Sequence, residues 1–268
     1  MASKRLQLSL FAFLVAVLTV VPWNGSAYAQ STCRAIFNAK PSLAHRLSNA
    51  AIVSFEKVQL DGKTEHYIVH LAGGLKAIFK PSPEFWGADA SKDVWARKAN
   101  IEAEVIAYGI DAAMGLGFVP PTVIRNIRGM RGSLQLWVAP DGTRPSRRFL
   151  AMLSAFDYLL NNLDRSGADF KATEDSRNLH TARGRPVALD NALALQPLQD
   201  FQLYATRDPV NELDLPALQG DFADGLRALS RDRLRAIMSH PRYDEVLRQM
   251  MVRRNKLRTR IAEIRDPS

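Results

Sequence analysis

Cysteine is almost absent: among 268 residues only Cys33 carries a thiol. No disulfide framework can form within the chain, so its stability has to come from packing. Cys33 also lacks the apolar residues immediately upstream that a lipoprotein cleavage site needs, which makes it incidental. Internal repeats, low-complexity tracts and nucleic-acid-binding motifs are missing too. Beyond the first 22 residues no stretch is apolar enough to cross a membrane. Each absence removes a class: disulfide-stapled scaffold, solenoid, nucleic-acid reader, polytopic membrane protein.

What is present begins with the N-terminus. Lys4 and Arg5 precede an apolar run from Leu6 to Pro22, and Ala27-Tyr28-Ala29 puts small residues just before Gln30. That three-part order is the mark of a secretory signal peptide over residues 1–29. The alternative is an anchor that stays attached. The run lies at the short end of the roughly 17 to 25 residues that span a bilayer, and the small-residue site follows at once, which favours cleavage. The mature protein is then expected to be exported, periplasmic or secreted, without a stable membrane anchor. Its remaining 240 or so residues suit one large domain or two closely joined lobes.

The formal net charge is +9, and removing Lys4 and Arg5 leaves +7. Much of it sits in the last third, from Arg227 to Arg260, where the basic residues alternate with Leu, Ile and Met at helical spacing. This reads as a solvated helix face, and no nucleic-acid partner is expected.

Ile52–Phe55, Tyr67–Leu71 and Leu75–Phe79 are short β-branched and aromatic runs separated by Asp61-Gly62 and Gly73-Gly74, the pattern of an antiparallel meander. From Asp93 to Met114 the apolar residues Ile101, Val105, Tyr108 and Ala112 recur at helical spacing. Two further strands are expected at Thr122–Ile127 and Ser133–Val138. Helices are expected at Arg147–Asn161, Asp221–Ser239 and Tyr243–Ile264, with a segment from Asp164 to Asp190 that is polar and irregular apart from a short strand at Val187-Ala188-Leu189. The order predicts an α+β chain of two layers with a cleft between its halves.

Taken singly, a lysine at a strand end, a glutamate on a helix or an Asp-Arg pair in a loop is ordinary surface. Their order says more. Phosphoryl transfer needs a cation on the nucleotide phosphates and a carboxylate to hold that cation. It also needs a carboxylate near the attacking hydroxyl and oxygen ligands for a divalent metal. Lys80, Glu104, Asp164, Asn178 and Asp190 follow one another in that sequence.

The motifs around them resemble a known family. Gly73-Gly74-Leu75-Lys76-Ala77-Ile78-Phe79-Lys80-Pro81 looks like the glycine turn and lysine strand of the secretory-pathway kinases, the Golgi casein kinase and glycosaminoglycan xylosylkinase family. Ala103–Tyr108 followed by Val119-Pro120-Pro121 resembles that family's helix and its exit. Phe156–Arg165 resembles its catalytic loop, and Leu189-Asp190-Asn191 its metal-binding acid. Asn178 to Asp190 is also similar to the corresponding segment of phosphatidylinositol and HipA-type kinases.

The resemblance implies a two-lobed protein-kinase-like fold, with a sheet-and-helix lobe over 30–140 and a mainly helical lobe over 141–268. It implies ATP and Mg²⁺ or Mn²⁺ as cofactors, and a hydroxyl of a protein or glycan as acceptor. Lys80 would contact the phosphates and Glu104 would pair with it. Asp164 would be the catalytic aspartate that orients or deprotonates the acceptor hydroxyl, and Asn178 and Asp190 would bind the metal. Backbone groups of Trp137, Val138 and Ala139 would hold the adenine. Strand alternation puts Lys76 on the same face as Lys80, so Lys76 could also reach the cleft. The chain departs from the family at Ser166, where histidine is usual, and in lacking the family's disulfides, and its loop from Asp164 to Asn178 is longer than in the lipid and HipA-type kinases. A pseudokinase or nucleotide-binding interaction module, or a kinase-fold enzyme transferring another group, are the competing readings.

Overall fold

The strand-forming runs assemble, in a computed structural model that describes residues 41–58, 65–86, 99–167, 169–196 and 209–265, into one antiparallel sheet. The expected leader and Cys33 lie outside the described residues. β1 (Ile52–Val58), β2 (His66–Leu71), β3 (Leu75–Pro81), β4 (Thr122–Ile127) and β5 (Met130–Leu136) are ordered β1-β2-β3-β5-β4. β5 starts before the expected Ser133, because the chain reverses in a tight turn at Arg128-Gly129, and it ends at Leu136, short of the expected Val138.

Side chains alternate across a strand, and the register fixes which face each takes. Tyr67 pairs with Phe79, Val69 with Ala77 and Leu71 with Leu75. These residues, with Ile127 and Leu134, form a small core closed by Leu47 of helix α1 (Pro41–Asn49). Phe55 stacks on Tyr67 with centroids 4.4 Å apart and leans on Phe79 at 5.8 Å. Arg125 of β4 donates to the carbonyls of Leu47 and Ala50 at 2.8 and 2.7 Å, satisfying groups the end of α1 leaves open. By the same alternation Lys76, Ile78 and Lys80 face the other side.

Helix α2 (Ile101–Met114) follows. The sequence pattern suggests a start at Asp93, but Asn100 is extended and its side chain accepts from Glu102 N at 2.9 Å, so this helix begins at Ile101. Residues 91–98 lie outside the described residues. Beyond β5 come α3 (Arg147–Leu160), the short α4 (Leu163–Ser166), a hairpin of β6 (Leu179–Ala182) and β7 (Arg185–Ala188), then α5 (Asp221–Ala228), α6 (Arg231–Ile237) and α7 (Asp244–Arg265). The single helix expected over Asp221–Ser239 is two, because extended Ser230 accepts from Arg233 N at 3.1 Å and opens a new helix. The hairpin replaces part of the segment read as irregular.

Ile106 and Ile110 of α2, Leu153, Phe156 and Leu159 of α3, and Phe222, Leu226, Leu234 and Leu257 of α5–α7 share the larger core. The basic face of the last third is laced with acids: Arg227 with Asp224, Arg235 with Asp244, Arg248 with Glu245 and Arg260 with Glu263. Such exposed pairs contribute little each. Among the described residues no helix is long and apolar enough to cross a membrane.

Two buried details carry predictions. Gly132 of β5 lies opposite Pro81, and a methyl group there would collide with the Lys80 carbonyl and the Phe79 ring. Gly132→Ala is expected to lower stability by roughly 1–3 kcal/mol, read as a drop in Tm. Asp111, 1 % exposed on the last turn of α2, accepts the Phe118 N–H at 2.9 Å and fastens the link to β4. Burial pushes its carboxyl up to about 7, against the pull of backbone donors and Arg185. The folded state holds this proton more tightly than the unfolded one. The contribution is therefore full below about pH 4 and lost as pH rises through about 7. Asp111→Asn should gain on the wild type over that window by a few kcal/mol, with a constant gap above it. A gap that ignores pH would remove Asp111 as the titrating group.

Candidate active site

Lys80 is placed by the strand that ends at Pro81. Phe79 fills the small core and Lys80 points from the opposite face. Its Nζ donates to Glu104 Oε1 at 2.7 Å and to Asp190 Oδ1 at 3.0 Å. The Lys80 and Glu104 side chains are only 11 % and 2 % exposed, whereas Asp190 is 37 % exposed and opens to solvent. Glu104 uses its second oxygen to accept the Asn191 N–H at 3.0 Å. One carboxylate thus ties β3 to the segment after Asp190.

Burial pulls the Lys80 ammonium down, but Asp190 and Glu104 outweigh it and hold the group above its ordinary value. Burial likewise opposes ionisation of Asp190, and Lys80 overcomes it, leaving that carboxyl below the usual range. A buried ion stripped of its partner is costly by several kcal/mol. Here one cation is shared between two carboxylates.

Asp164 and Asn178 meet nearby. Asn178 Nδ2 donates to Asp164 Oδ2 at 2.7 Å. Burial first, and then the charge of Asp190, raises the Asp164 carboxyl above its ordinary value; Arg165, Arg177 and Lys80 pull it back only in part. The β6–β7 hairpin brings these groups together. Arg183 and Gly184 turn with positive φ at both positions, 55° and 70°, the backbone of a tight hairpin. Leu179 then pairs with Ala188, and Leu189 N donates to Asn178 O at 2.8 Å. Asn178 consequently sits beside the residue preceding Asp190. Both Asn178 and Asp190 are left-handed, with φ of 55° and 49°, a conformation that Asn and Asp tolerate better than most residues.

Beneath this surface lies a polar network that sequence reasoning gave no role. Arg165 Nη2 donates to Asn191 Oδ1 at 2.6 Å and to Leu189 O at 3.2 Å, and Nη1 stands 3.6 Å from Asp157. Asn162 donates to the same Asn191 oxygen at 3.3 Å. The loop that carries Asp164 and the segment that carries Asp190 are therefore joined from below. His66 was also missed: it is buried on the Lys80 face of β2, and its charge helps lower Asp190. Extending the strand alternation two residues back from Ile68 would have found it.

Trp137, Val138 and Ala139 lie just after β5. Trp137 N donates to Lys76 O at 2.9 Å, and Lys76 Nζ lies 4.6 Å from the Trp137 ring centroid. Lys76 is thus engaged with Trp137, and Lys80 is the lysine that holds the carboxylates. Val138 is bonded through its backbone to His180 of β6, which places Trp137–Ala139 beside the hairpin.

By sequence, neither a protein-family profile nor a curated relative matches the chain. By structure, it is similar to a Golgi casein kinase with a TM-score of 0.52 at 14% identity, over 82% of this chain and 75% of that one. The Golgi casein kinase with Mn and ADP bound gives 0.53 at 14% identity over the same shares. A proinflammatory kinase of Helicobacter pylori aligns over 81% of this chain and 97% of that one, at 12% identity and a TM-score of 0.44. The two casein kinase likenesses establish the architecture that the motifs implied: the chain has a kinase-like α+β fold.

Proposed function

We propose that this chain is an exported phosphotransferase that moves the terminal phosphoryl group of ATP to a hydroxyl of a protein or glycan. The lobes are taken as 30–140 and 141–268, after a leader at 1–29. The observation that carries the reading is the shared cation: Lys80 held at once by Glu104 and Asp190, with Asp164 and Asn178 bonded alongside.

Lys80, oriented by Glu104, binds the nucleotide phosphates. Trp137, Val138 and Ala139 receive the adenine, with the Lys76 ammonium over the Trp137 ring. Asp164 accepts the proton of the acceptor hydroxyl, and its raised carboxyl makes it a more basic partner than an ordinary aspartate. The donor set suits Mg²⁺ or Mn²⁺. Asp190 offers a solvent-facing carboxylate, and Asn178, with its nitrogen committed to Asp164, keeps its amide oxygen for a cation. Among the described residues no three His, Cys, Asp or Glu side chains gather as a metal cage. A hard ion of this kind is commonly held by one or two carboxylates plus substrate phosphates. When bound, the ion would neutralise charge on the transferred phosphoryl group. The Golgi casein kinase solved with Mn and ADP supports this choice of cofactor.

The test uses mature protein with γ-labelled ATP, Mn²⁺ and mixed acceptors. Asp190→Ala and Lys80→Ala should lose at least 100-fold in transfer and lose the rise in Tm that Mn²⁺ and ADP give the wild type. Asp164→Asn should keep that rise while transfer falls by about 10²–10⁴. Equal label transfer by wild type and Asp190→Ala would sink the reading.

A further inference from the structure

Helix α2 carries Glu104, but its first turn is fastened two residues earlier. Glu102 accepts from Arg131 Nη2 of β5 at 2.8 Å, from the Tyr243 hydroxyl at 3.0 Å, and from Arg242. Asn100, which caps the helix, donates from Nδ2 to the same hydroxyl at 2.9 Å. Arg242 Nη2 donates to it as well, at 2.9 Å. The Tyr243 hydroxyl therefore uses its one proton and both lone pairs. Asn100 N donates to Ala192 O at 2.8 Å, tying the cap to the segment that follows Asp190. Further along, α2 rests on α6, where a methyl group at Gly109 would stand 2.9 Å from Ile237 Cγ2.

Glu102 and Glu104 are two residues apart, about 200° around the helix. One carboxylate consequently looks outward to two arginines and a tyrosine, while the other looks inward to Lys80. Rotation or lifting of the first turn that broke the outer contacts would carry Glu104 away from Lys80. The outer contacts come from different elements, β5 on one side and the turn before α7 on the other. No single local shift releases them all.

We propose that Glu102 is a positioning residue, clamping the first turn of α2 between Arg131 and the Arg242-Tyr243 pair and thereby setting the Lys80–Glu104 contact. This rests on the reading of Lys80 and Glu104 as the nucleotide site, and the experiment separates the two. Lys80 is shielded and ion-paired, so an amine-reactive reagent at mildly alkaline pH should label it slowly, as followed by mass spectrometry without any nucleotide. Glu102→Gln should speed Lys80 labelling about ten-fold, an ordinary size for coupling between groups, and Tyr243→Phe should speed it less. Glu104→Gln serves as the positive control. Leu257→Ala, a core truncation in α7, serves as a control for general loosening.

Faster labelling in Glu102→Gln than in Leu257→Ala at equal loss of Tm supports the clamp. Wild-type labelling in Glu102→Gln, or labelling that tracks Tm in all variants, overturns it. Turnover adds a second reading: Glu102→Gln should lower kcat more than it raises KM for ATP. A wild type that neither binds Mn²⁺·ADP nor transfers phosphate defeats the functional reading alone, because the labelling result stands without it.

Discussion

A single ammonium shared between two carboxylates organises the whole molecule. Lys80 comes from the sheet, Glu104 from the helix that packs beside it, and Asp190 from the segment after the hairpin. Neither Lys80 nor Glu104 could be buried alone without a severe desolvation penalty, and Asp190 completes the cluster at its solvent side. Together they fix how sheet, helix and loop meet at this site. Because Glu104 also accepts the Asn191 N–H, the ion cluster is bonded to the backbone as well as to itself.

The surroundings serve that meeting point. Phe79, Phe55 and Tyr67 fix the back of the sheet, so β3 can present Lys80 on its other face. Arg165, buried against Asp157 and Asn191, joins the loop that holds Asp164 to the segment that holds Asp190. Buried polar networks of this kind are valuable when satisfied and costly when broken. The larger apolar core of α2, α3 and α5–α7 lies under them and bears the stability that disulfides do not supply.

Much of this was legible in the sequence. The meander from Ile52 to Phe79 announced itself through alternating apolar residues and glycine turns, and the five polar residues through their order. Helix ends were less legible. The split at Ser230 and the start at Ile101 depend on single side chains capping backbone amides, a choice that periodicity does not register. Of the β6–β7 hairpin only the end of the second strand, Val187 and Ala188, was legible; β6 and the pairing were hidden because the strands are four residues each and Pro186 interrupts the pattern. Arg183-Gly184 was the available signal. Arg165 and Asn191 escaped notice as actors because burial decides their role, and an arginine in a loop reads as surface until the packing around it is known. The clamp at Glu102 joins residues some 140 positions apart in the chain, beyond the reach of any local pattern.

The β6–β7 hairpin has a consequence for how this site can vary among related chains. Asn178 and Asp190 stand at its two open ends, and the turn at Arg183-Gly184 is remote from both. Lengthening the hairpin by one residue in each strand moves the turn outward and leaves the open end alone. An insertion on one side only changes the parity of the ladder and turns a strand's side chains to the wrong face. Tolerated insertions here should therefore come in matched pairs; they would carry the turn off Asp141 and Thr143, which now accept the Arg183 and Gly184 N–H groups, while the charge cluster stays put.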